Sequence, residues 1–426
     1  MVSSVSENRT HKDKKQKTHM IGISTSKSIK YFPKIISLIM FPIRWLLYLI
    51  PRKKTNWVFG SGVGINFSDN AKYFFLFCSS KKEINSYWIT KNKSLAETLR
   101  NIGFNSYYKY SIKGIWLSIS SKVYIYDSRT SCINHFTSNG AYKVNLWHGS
   151  PLKTIDRDIT LKGNAFYIGN HTWGLKRYLV RAIMPEWFVT PDLMIAPSEK
   201  IKEYFYSAFG SKKIEVTGYP RNDIISNYIV SNKHTLIEQK IIDSISTKKT
   251  ILYAPTFRDT NRFDRETPID WLRLNYLLKK NDTTFLIKLH RHDYSIPMKD
   301  QHSNIRVIDT ESDMYPIFSK VDLLITDYSS IFFDFLLTNK PVLFYPYDKD
   351  HYLNMDRSMY DEYDTVTPGY KVYDFKSFYE KLELFFKQPE SLKKSIIDYN
   401  LIKENYNKYN DSYNSKRTYQ FITSNL

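Results

Sequence analysis

Cysteine is nearly absent from this chain: Cys78 and Cys132 are the two among 426 residues. So few give no disulfide framework, which suits a reducing compartment and makes packing as small apolar groups their plainest role. No complete G-x-x-x-x-G-K-[ST] or G-x-G-x-x-G loop occurs, and Gly60-Ser-Gly-Val-Gly64 is a glycine turn without the rest of either fingerprint. No G-x-S-x-G elbow and no H-E-x-x-H pair appears. These absences argue against an ATPase, an esterase and a zinc hydrolase. His290-x-His292 has no third ligand at a known spacing, so no metal site is expected. No internal repeat is visible, and only the N-terminal tail has the composition of a disordered segment.

Apolar runs long enough to span a bilayer are also missing. The best candidate, residues 35–50, contains Arg44 and is broken by Pro42, whereas a spanning helix needs about 20 clean residues. No small-residue cleavage site follows it, so it does not read as a signal peptide. It reads as an interfacial helix, with Trp45 and Tyr48 at headgroup level and Arg52-Lys53-Lys54 on lipid phosphates. A helix buried against the domain is the plainer alternative. The net charge is +20, and its distribution decides what it means. Residues 1–30 hold seven Lys/Arg against Glu7 and Asp13, and residues 31–54 add Lys34, Arg44, Arg52, Lys53 and Lys54 with no acid. Half the excess therefore precedes residue 55, which favours an anionic membrane surface over a nucleic acid as partner.

What the chain does have is length and aromatic bulk: 26 Phe, 34 Tyr and 8 Trp can fill two cores. From Asn56 onward, short apolar runs alternate with helical patterns. Candidate strands are Trp57-Val-Phe59, Tyr87-Trp-Ile89, Val123-Tyr-Ile-Tyr126, Val144-Asn-Leu-Trp147, Leu193-Met-Ile-Ala196 and Ile214-Glu-Val216. A second series is Ile251-Leu-Tyr253, Thr284 to Leu289, Ile305-Arg-Val-Ile308, Leu323-Leu-Ile325 and Val342-Leu-Phe-Tyr345. Helices are predicted over 69–78, 94–102, 199–209, 270–280 and 330–338. Continuous apolar strands alternating with helices mean an α/β fold with a parallel sheet, and the alternation occurs twice. The predicted division is a basic tail and interfacial helix at 1–54, one Rossmann-like domain at 55–235 and another at 248–390. Helices at 391–426 are expected to pack back across the domains.

Several strand ends carry chemistry. Thr326-Asp327-Tyr-Ser329-Ser330 follows one strand and opens the helical run that contains Asp334. A helix start exposes free N–H groups, and two hydroxyls beside it suit a diphosphate, although a serine N-cap is the bland explanation. Asp334 could bond a ligand hydroxyl or a neighbouring loop. Ala254-Pro-Thr256-Phe-Arg258 and Lys288-Leu-His290 end two nearby strands. The Arg258 fork fits a phosphate, and Lys288 and His290 are candidates for neutralising a leaving group. In the first half, His148 ends a strand and precedes Gly149-Ser-Pro151. With an ordinary pKa near 6.5, its imidazole can take a hydroxyl proton at cytoplasmic pH, a structural His being the alternative. Lys153 could steer an anionic acceptor, and Asp156 or Asp158 could orient the His.

Taken in order, these motifs resemble the CDP-glycerol glycerophosphotransferase family, the teichoic-acid primases and polymerases and their capsule-polymer relatives. The resemblance runs from Trp57 to about residue 385 and rests on Trp57-Val-Phe-Gly, Phe67-Ser-Asp-Asn70, Trp147-His-Gly-Ser-Pro-Leu-Lys153 and Thr217-Gly-Tyr-Pro-Arg-Asn-Asp223. Ala254 to Arg258, Lys288-Leu-His290 and Thr326 to Asp334 complete it. It implies a GT-B architecture, with His148 as base on the acceptor side and the last three motifs around the donor diphosphate. It implies CDP-glycerol or another CDP-alditol as donor. No metal-ligand cluster is visible, so no tightly bound cofactor is expected, and Mg²⁺ is possible without being indicated. The acceptor is then a lipid-linked primer or a growing anionic polymer, with the protein held peripherally at the cytoplasmic face of the membrane. Three departures stand out: Ser150 where the family usually has Thr, Arg291 where it commonly has Pro, and Arg357-Ser-Met-Tyr-Asp with Thr367-Pro-Gly-Tyr370 in place of its late motif. They bear on the transferred group more than on the reaction. A GT-B glycosyltransferase using a nucleotide sugar is the alternative, and a non-catalytic polyanion-binding protein the rival from another class.

Overall fold

Two all-parallel sheets make up the core of the computed structural model, which describes residues 44–160, 167, 171–226, 245, 247–256, 268–289, 302–309, 312–349, 352 and 358–426. The first sheet has the order β3-β2-β1-β4-β5-β6-β7. Its strands are β1 (Lys53–Gly60), β2 (Asn85–Thr90), β3 (Ser106–Tyr108), β4 (Ser121–Tyr126), β5 (Tyr142–Asn145), β6 (Leu193–Ala196) and β7 (Ile214–Val216). The second has the order β10-β9-β8-β11-β12-β13, with β8 (Lys249–Ala254), β9 (Thr283–Lys288), β10 (Ile305–Ile308), β11 (Leu323–Thr326), β12 (Val342–Phe344) and β13 (Tyr370–Lys371). In both sheets the order reverses beside the first strand, and ligands in such folds sit at the carboxyl edge near that point.

Strands buried on both faces read as unbroken apolar runs, and the central ones do so here: Trp57, Val58, Phe59, Ile251, Leu252, Tyr253 and Leu323 to Ile325 are fully buried. Helices Asp69–Cys78, Lys93–Asn101, Glu199–Phe209 and Trp271–Lys280 lie within a residue of their predicted spans. Three of them start where a side chain accepts an N–H: Asn92 from Leu95, Ser198 from Ile201 and Asp270 from Arg273. The helix after β11 is shorter than predicted. It runs Ile331–Phe335 and then tightens into a 3₁₀ turn, Leu336–Thr338.

Within the N-terminal basic cluster, Arg52 differs from its expected place. Arg52 donates to the carbonyls of Ser118, Ser121, Thr137 and Asn139, so it ties loops of the first domain together and is not free for lipid. Lys53 and Lys54 belong to β1. Among the described residues no helix is long and apolar enough to cross a membrane.

The C-terminal helices touch both halves. Asn414–Thr423 lies on Asp69–Cys78, with Tyr419 5.7 Å from Trp57 and 5.9 Å from Phe77 between ring centroids. Its first N–H groups donate to Asp223 of the preceding domain, an N-cap supplied from a distance. Tyr406, at the end of Ile396–Tyr406, stacks on Phe333 at 3.7 Å.

His135 is buried beside β4, its Nδ1 2.7 Å from the Thr130 hydroxyl. Burial, then Arg44 and Lys109, lower its pKa to about 2. The folded state therefore holds it neutral while the unfolded chain titrates near 6.5, so stability is complete above that pH and declines as pH falls toward 2. The slope for one proton is about 1.4 kcal/mol per pH unit. Chemical unfolding at pH 6.5 and 4.5 is expected to show a drop of about 2–3 kcal/mol from this residue, and His135→Asn to reduce the drop. An unchanged pH dependence in the variant would mean His135 is already charged in the fold.

Candidate active site

Beyond β5 the chain turns sharply through Leu146, Trp147, His148 and Gly149. Trp147 has φ 52°, a costly value for a bulky residue, and surrounding bonds hold it there. Asn70 donates to the carbonyls of Leu146 (3.3 Å) and Trp147 (2.8 Å), and the Asn145 side chain accepts the Trp147 N–H. His148 Nδ1 lies 2.8 Å from the backbone carbonyl of Asp127. A carbonyl accepts, so Nδ1 carries the proton and Nε2 of the neutral ring keeps its lone pair. Among the described residues Nε2 has no hydrogen-bond partner. The ring still reaches solvent, yet protein packs closely behind it, including the Trp147 ring at 4.1 Å. That loss of water lowers its pKa below the ordinary value; Asp69 and the Asp127 carbonyl oppose the shift, while Arg221 and Arg129 add to it. A base that must be neutral near pH 7 is thereby kept neutral.

Arg221, in the turn after β7, joins the two halves. Its Nη1 donates to Asp69 (2.7 Å) and to the His148 carbonyl (2.8 Å), and its Nη2 to Asp334 of the second domain at 2.5 Å. Asp334 also accepts from Asn222 (3.1 Å) and from the Tyr315 hydroxyl (2.6 Å). Its carboxylate is thus bound to a neighbouring loop, the second of the two roles foreseen for it. Arg221 and Asp334 are both buried, and a second buried pair, Lys72–Asp313 at 2.8 Å, crosses the same junction.

Gly149 sits at the junction of the halves. Its φ is +143°, and a Cβ there would lie 3.0 Å from an Arg221 guanidinium nitrogen and 3.5 Å from the Ser330 hydroxyl. Gly149→Ala combines backbone strain with this contact, about 1–3 kcal/mol from the strain alone. Its kcat is expected to fall at least tenfold with the fold intact by circular dichroism. Wild-type turnover would show that the junction has room to spare.

On the second domain's edge, Asp327 accepts the N–H of Thr256 (2.8 Å) and of Tyr328 (2.6 Å), which ties the ends of β8 and β11 together. Thr256 and Asp327 therefore shape the edge by this bond. Ser330 stands at the N-cap position without a side-chain cap bond, and Ser329 and Ser330 are both half-buried. The serine N-cap explanation is thus not realised. Tyr328 stacks on Tyr352 at 3.9 Å, and Lys153 crosses from the first domain to donate to the Tyr352 hydroxyl. Lys288 binds the carbonyls of Asp309 and Ser312 at 2.8 Å each, so it anchors the loop after β10. Asp156 is not at the imidazole: it forms an ion pair with Arg129. Asp158 accepts from Ser207 and Tyr360. The Asp127 carbonyl has the orienting place expected for either acid. Arg258 and His290 lie outside the described residues, as does His290-x-His292. Among the described residues no group of three or more His, Cys, Asp or Glu could hold a metal ion.

The residues missed from sequence are Asp69, Asn70, Arg221, Asn222, Tyr315 and the Asp127 carbonyl. Four of them stand in Phe67-Ser-Asp-Asn70 and Thr217 to Asp223, stretches that the resemblance marks without assigning a role. Tyr315 and Asp127 have no signal of their own.

Comparison with known proteins agrees with this geometry. Residues 39–424 match the family described as CDP-glycerol:poly(glycerophosphate) glycerophosphotransferase. A teichoic acid poly(glycerol phosphate) polymerase of Bacillus spizizenii is 29% identical over 349 residues, 76% of this chain and 82% of that protein. A teichoic acid glycerol-phosphate primase of Bacillus subtilis is 31% identical over 324 residues, 73% of this chain and 76% of its own length. The solved structure of the wall teichoic acid polymerase TagF superimposes with a TM-score of 0.72 at 22% identity, covering 93% of this chain and 98% of that one. That likeness establishes the GT-B-like arrangement of two parallel sheets. With an imidazole poised at the junction and a family match over nearly the whole described chain, the protein belongs to the CDP-glycerol:poly(glycerophosphate) glycerophosphotransferase family.

Proposed function

We propose that this enzyme transfers glycerol phosphate from CDP-glycerol to a hydroxyl of a teichoic-acid or capsule-type chain, releasing CMP. The acceptor oxygen bonds to the β-phosphorus, His148 Nε2 takes the hydroxyl proton, and the electrons of the broken P–O bond leave on CMP. The observation that carries the reading is the open Nε2 of His148 on a loop whose next residue lies against Ser330. Ser329 and Ser330, with hydroxyls not spent on capping, suit the diphosphate, and held dipoles there would act without reorganisation. Arg258 and His290 are assigned to the same charge on the strength of their motifs alone. In this reading 55–235 presents the acceptor and 248–390 the donor.

Peripheral attachment at the cytoplasmic face belongs to the same reading. Its support is the exposure of Trp45, Leu46, Tyr48 and Leu49 after a basic, apolar N-terminal stretch. A primer linked to lipid would be met there. CMP release measured with CDP-glycerol, CDP-ribitol and a set of nucleotide sugars, with and without a glycerol-phosphate primer, decides the donor. Acceptor-dependent release from CDP-glycerol is expected; release from a nucleotide sugar instead would make the enzyme a glycosyltransferase.

A further inference from the structure

The carboxyl ends of the first sheet form one continuous edge. In sheet order it runs from His148 beyond β5, past the Asp127 to Cys132 turn beyond β4 and the glycine turn beyond β1, to Lys91 beyond β2 and Lys109 beyond β3. With neighbouring strands about 4.8 Å apart, Lys91 and Lys109 start about 14 and 19 Å from His148. Lys109 reaches back along this edge. The residue is buried, and its ammonium donates to the carbonyl of Ser131, in the same turn whose Asp127 carbonyl holds His148.

The glycine turn locks these pieces together. Gly64 has φ +84°, and a Cβ there would lie 2.8 Å from the Cys132 carbonyl, so only glycine lets the two turns touch. The Gly64 carbonyl in turn accepts from the Lys91 N–H (2.6 Å) and from the Thr90 hydroxyl (3.0 Å). Lys91 is thereby tied to the element that orients the base.

The lysines of this edge have no ion-pair partner among the described residues. Among the described residues no carboxylate lies within ion-pair distance of Lys91, Lys93, Lys109 or Lys113, although Lys143, Lys200 and Lys349 each have one. Lys93 and Lys113 lie over the Tyr108 and Tyr107 rings at 5.0 and 4.7 Å. Among the described residues the Lys109 ammonium uses one of its three donors, and its pKa is lowered to about 8, first by burial and then by Lys91, with Cys132 and Glu186 pulling the other way. A buried ammonium that feels the charge of a second lysine is a costly arrangement, offset in part by Glu186, and an anion would relieve it further.

We propose that Lys91 and Lys109 form an acceptor subsite that holds a phosphodiester of the polymer upstream of the hydroxyl presented to His148. This rests on the reading of the acceptor as a phosphodiester chain. The subsite would reward acceptors that already carry several units, since a single unit cannot reach His148 and this edge together.

The test uses the full chain and a series of glycerol-phosphate oligomers of increasing length. Direct binding of a labelled oligomer is followed by fluorescence anisotropy, and turnover with CDP-glycerol is measured separately. The double variant Lys91→Gln, Lys109→Gln is expected to bind long oligomers at least tenfold more weakly, with a flatter salt dependence. Its acceptor KM should lose the preference for long chains while the KM for CDP-glycerol stays unchanged. Lys109→Arg should retain most of the affinity, which separates charge from packing. Should Lys109→Gln prove misfolded, Lys91→Gln alone is expected to weaken binding at least threefold. Wild-type binding and length preference in a folded variant would overturn the subsite. Absence of CMP release from CDP-glycerol by the unaltered enzyme would instead count against the proposed reaction, since the anisotropy result stands on its own.

Discussion

His148→Ala is expected to abolish glycerol-phosphate transfer, lowering kcat by about 10²–10⁴ while CDP-glycerol still binds. The size follows from what the imidazole does, because without a general base the acceptor hydroxyl must lose its proton to water. Binding survives because the groups assigned to the diphosphate belong to the second domain. The pH profile gives an independent check. Crowding keeps the imidazole pKa below 6.5, and the neutral form is the active one, so the acid limb of kcat/KM should fall below pH 6.5. Removing Asp69, whose charge favours the imidazolium, should move that limb lower still. Retained turnover in His148→Ala would take the residue out of its role, and an acid limb well above 6.5 would point to another base.

Arg221→Met should be the most damaging substitution away from His148. It strips a buried cation from two carboxylates, Asp69 and Asp334, and removes the donor to the His148 carbonyl. Breaking a buried ion pair from one side costs about 3–5 kcal/mol, mostly because the remaining charge is left without compensation. Here that charge sits at the domain junction, so loss of stability and loss of alignment should come together. A fall in kcat of about 10² is expected from misplacement of the base alone, with a melting temperature lower by several degrees. Asp334→Asn keeps the shape and leaves Arg221 with Asp69, so its effect should be smaller. Because Arg221 also disfavours the imidazolium, residual activity in Arg221→Met should show its acid limb at higher pH than wild type. Equal stability and kcat in the folded variant would falsify the idea that this pair aligns the halves.

Legibility from sequence follows aliphatic patterning. Leu193–Ala196 is readable to the residue as a buried apolar run, and the edge strands Ile214–Val216 and Ile305–Ile308 are readable from the β-branched residues at both their ends. β3 (Ser106–Tyr108) and β13 (Tyr370–Lys371) are not, since Ser-Tyr-Tyr and Tyr-Lys hold no aliphatic residue to mark them. Arg52 misleads for a different reason. A basic residue beside an apolar patch looks alike whether its partners are lipid phosphates or backbone carbonyls 66–87 residues away. His148 stands out because an ionisable group at a strand end is visible locally. Asp127, whose carbonyl holds it, acts through its backbone, and nothing in its side chain announces that.

By itself the chain determined that two parallel α/β halves would form, that an imidazole would end a strand of the first, and that a Thr-Asp-Tyr-Ser-Ser turn would end a strand of the second. All of this is written in short-range order, where apolar spacing and turn residues act over a few positions. Only the tertiary structure decided which groups meet: that Arg221 would span Asp69, His148 and Asp334, that Asp156 would turn to Arg129, and that Lys109 would lie buried along the edge leading to His148. Such pairings depend on how buried charges find compensation once water is gone, and residues 113 apart in the sequence can settle that only after the sheets have packed.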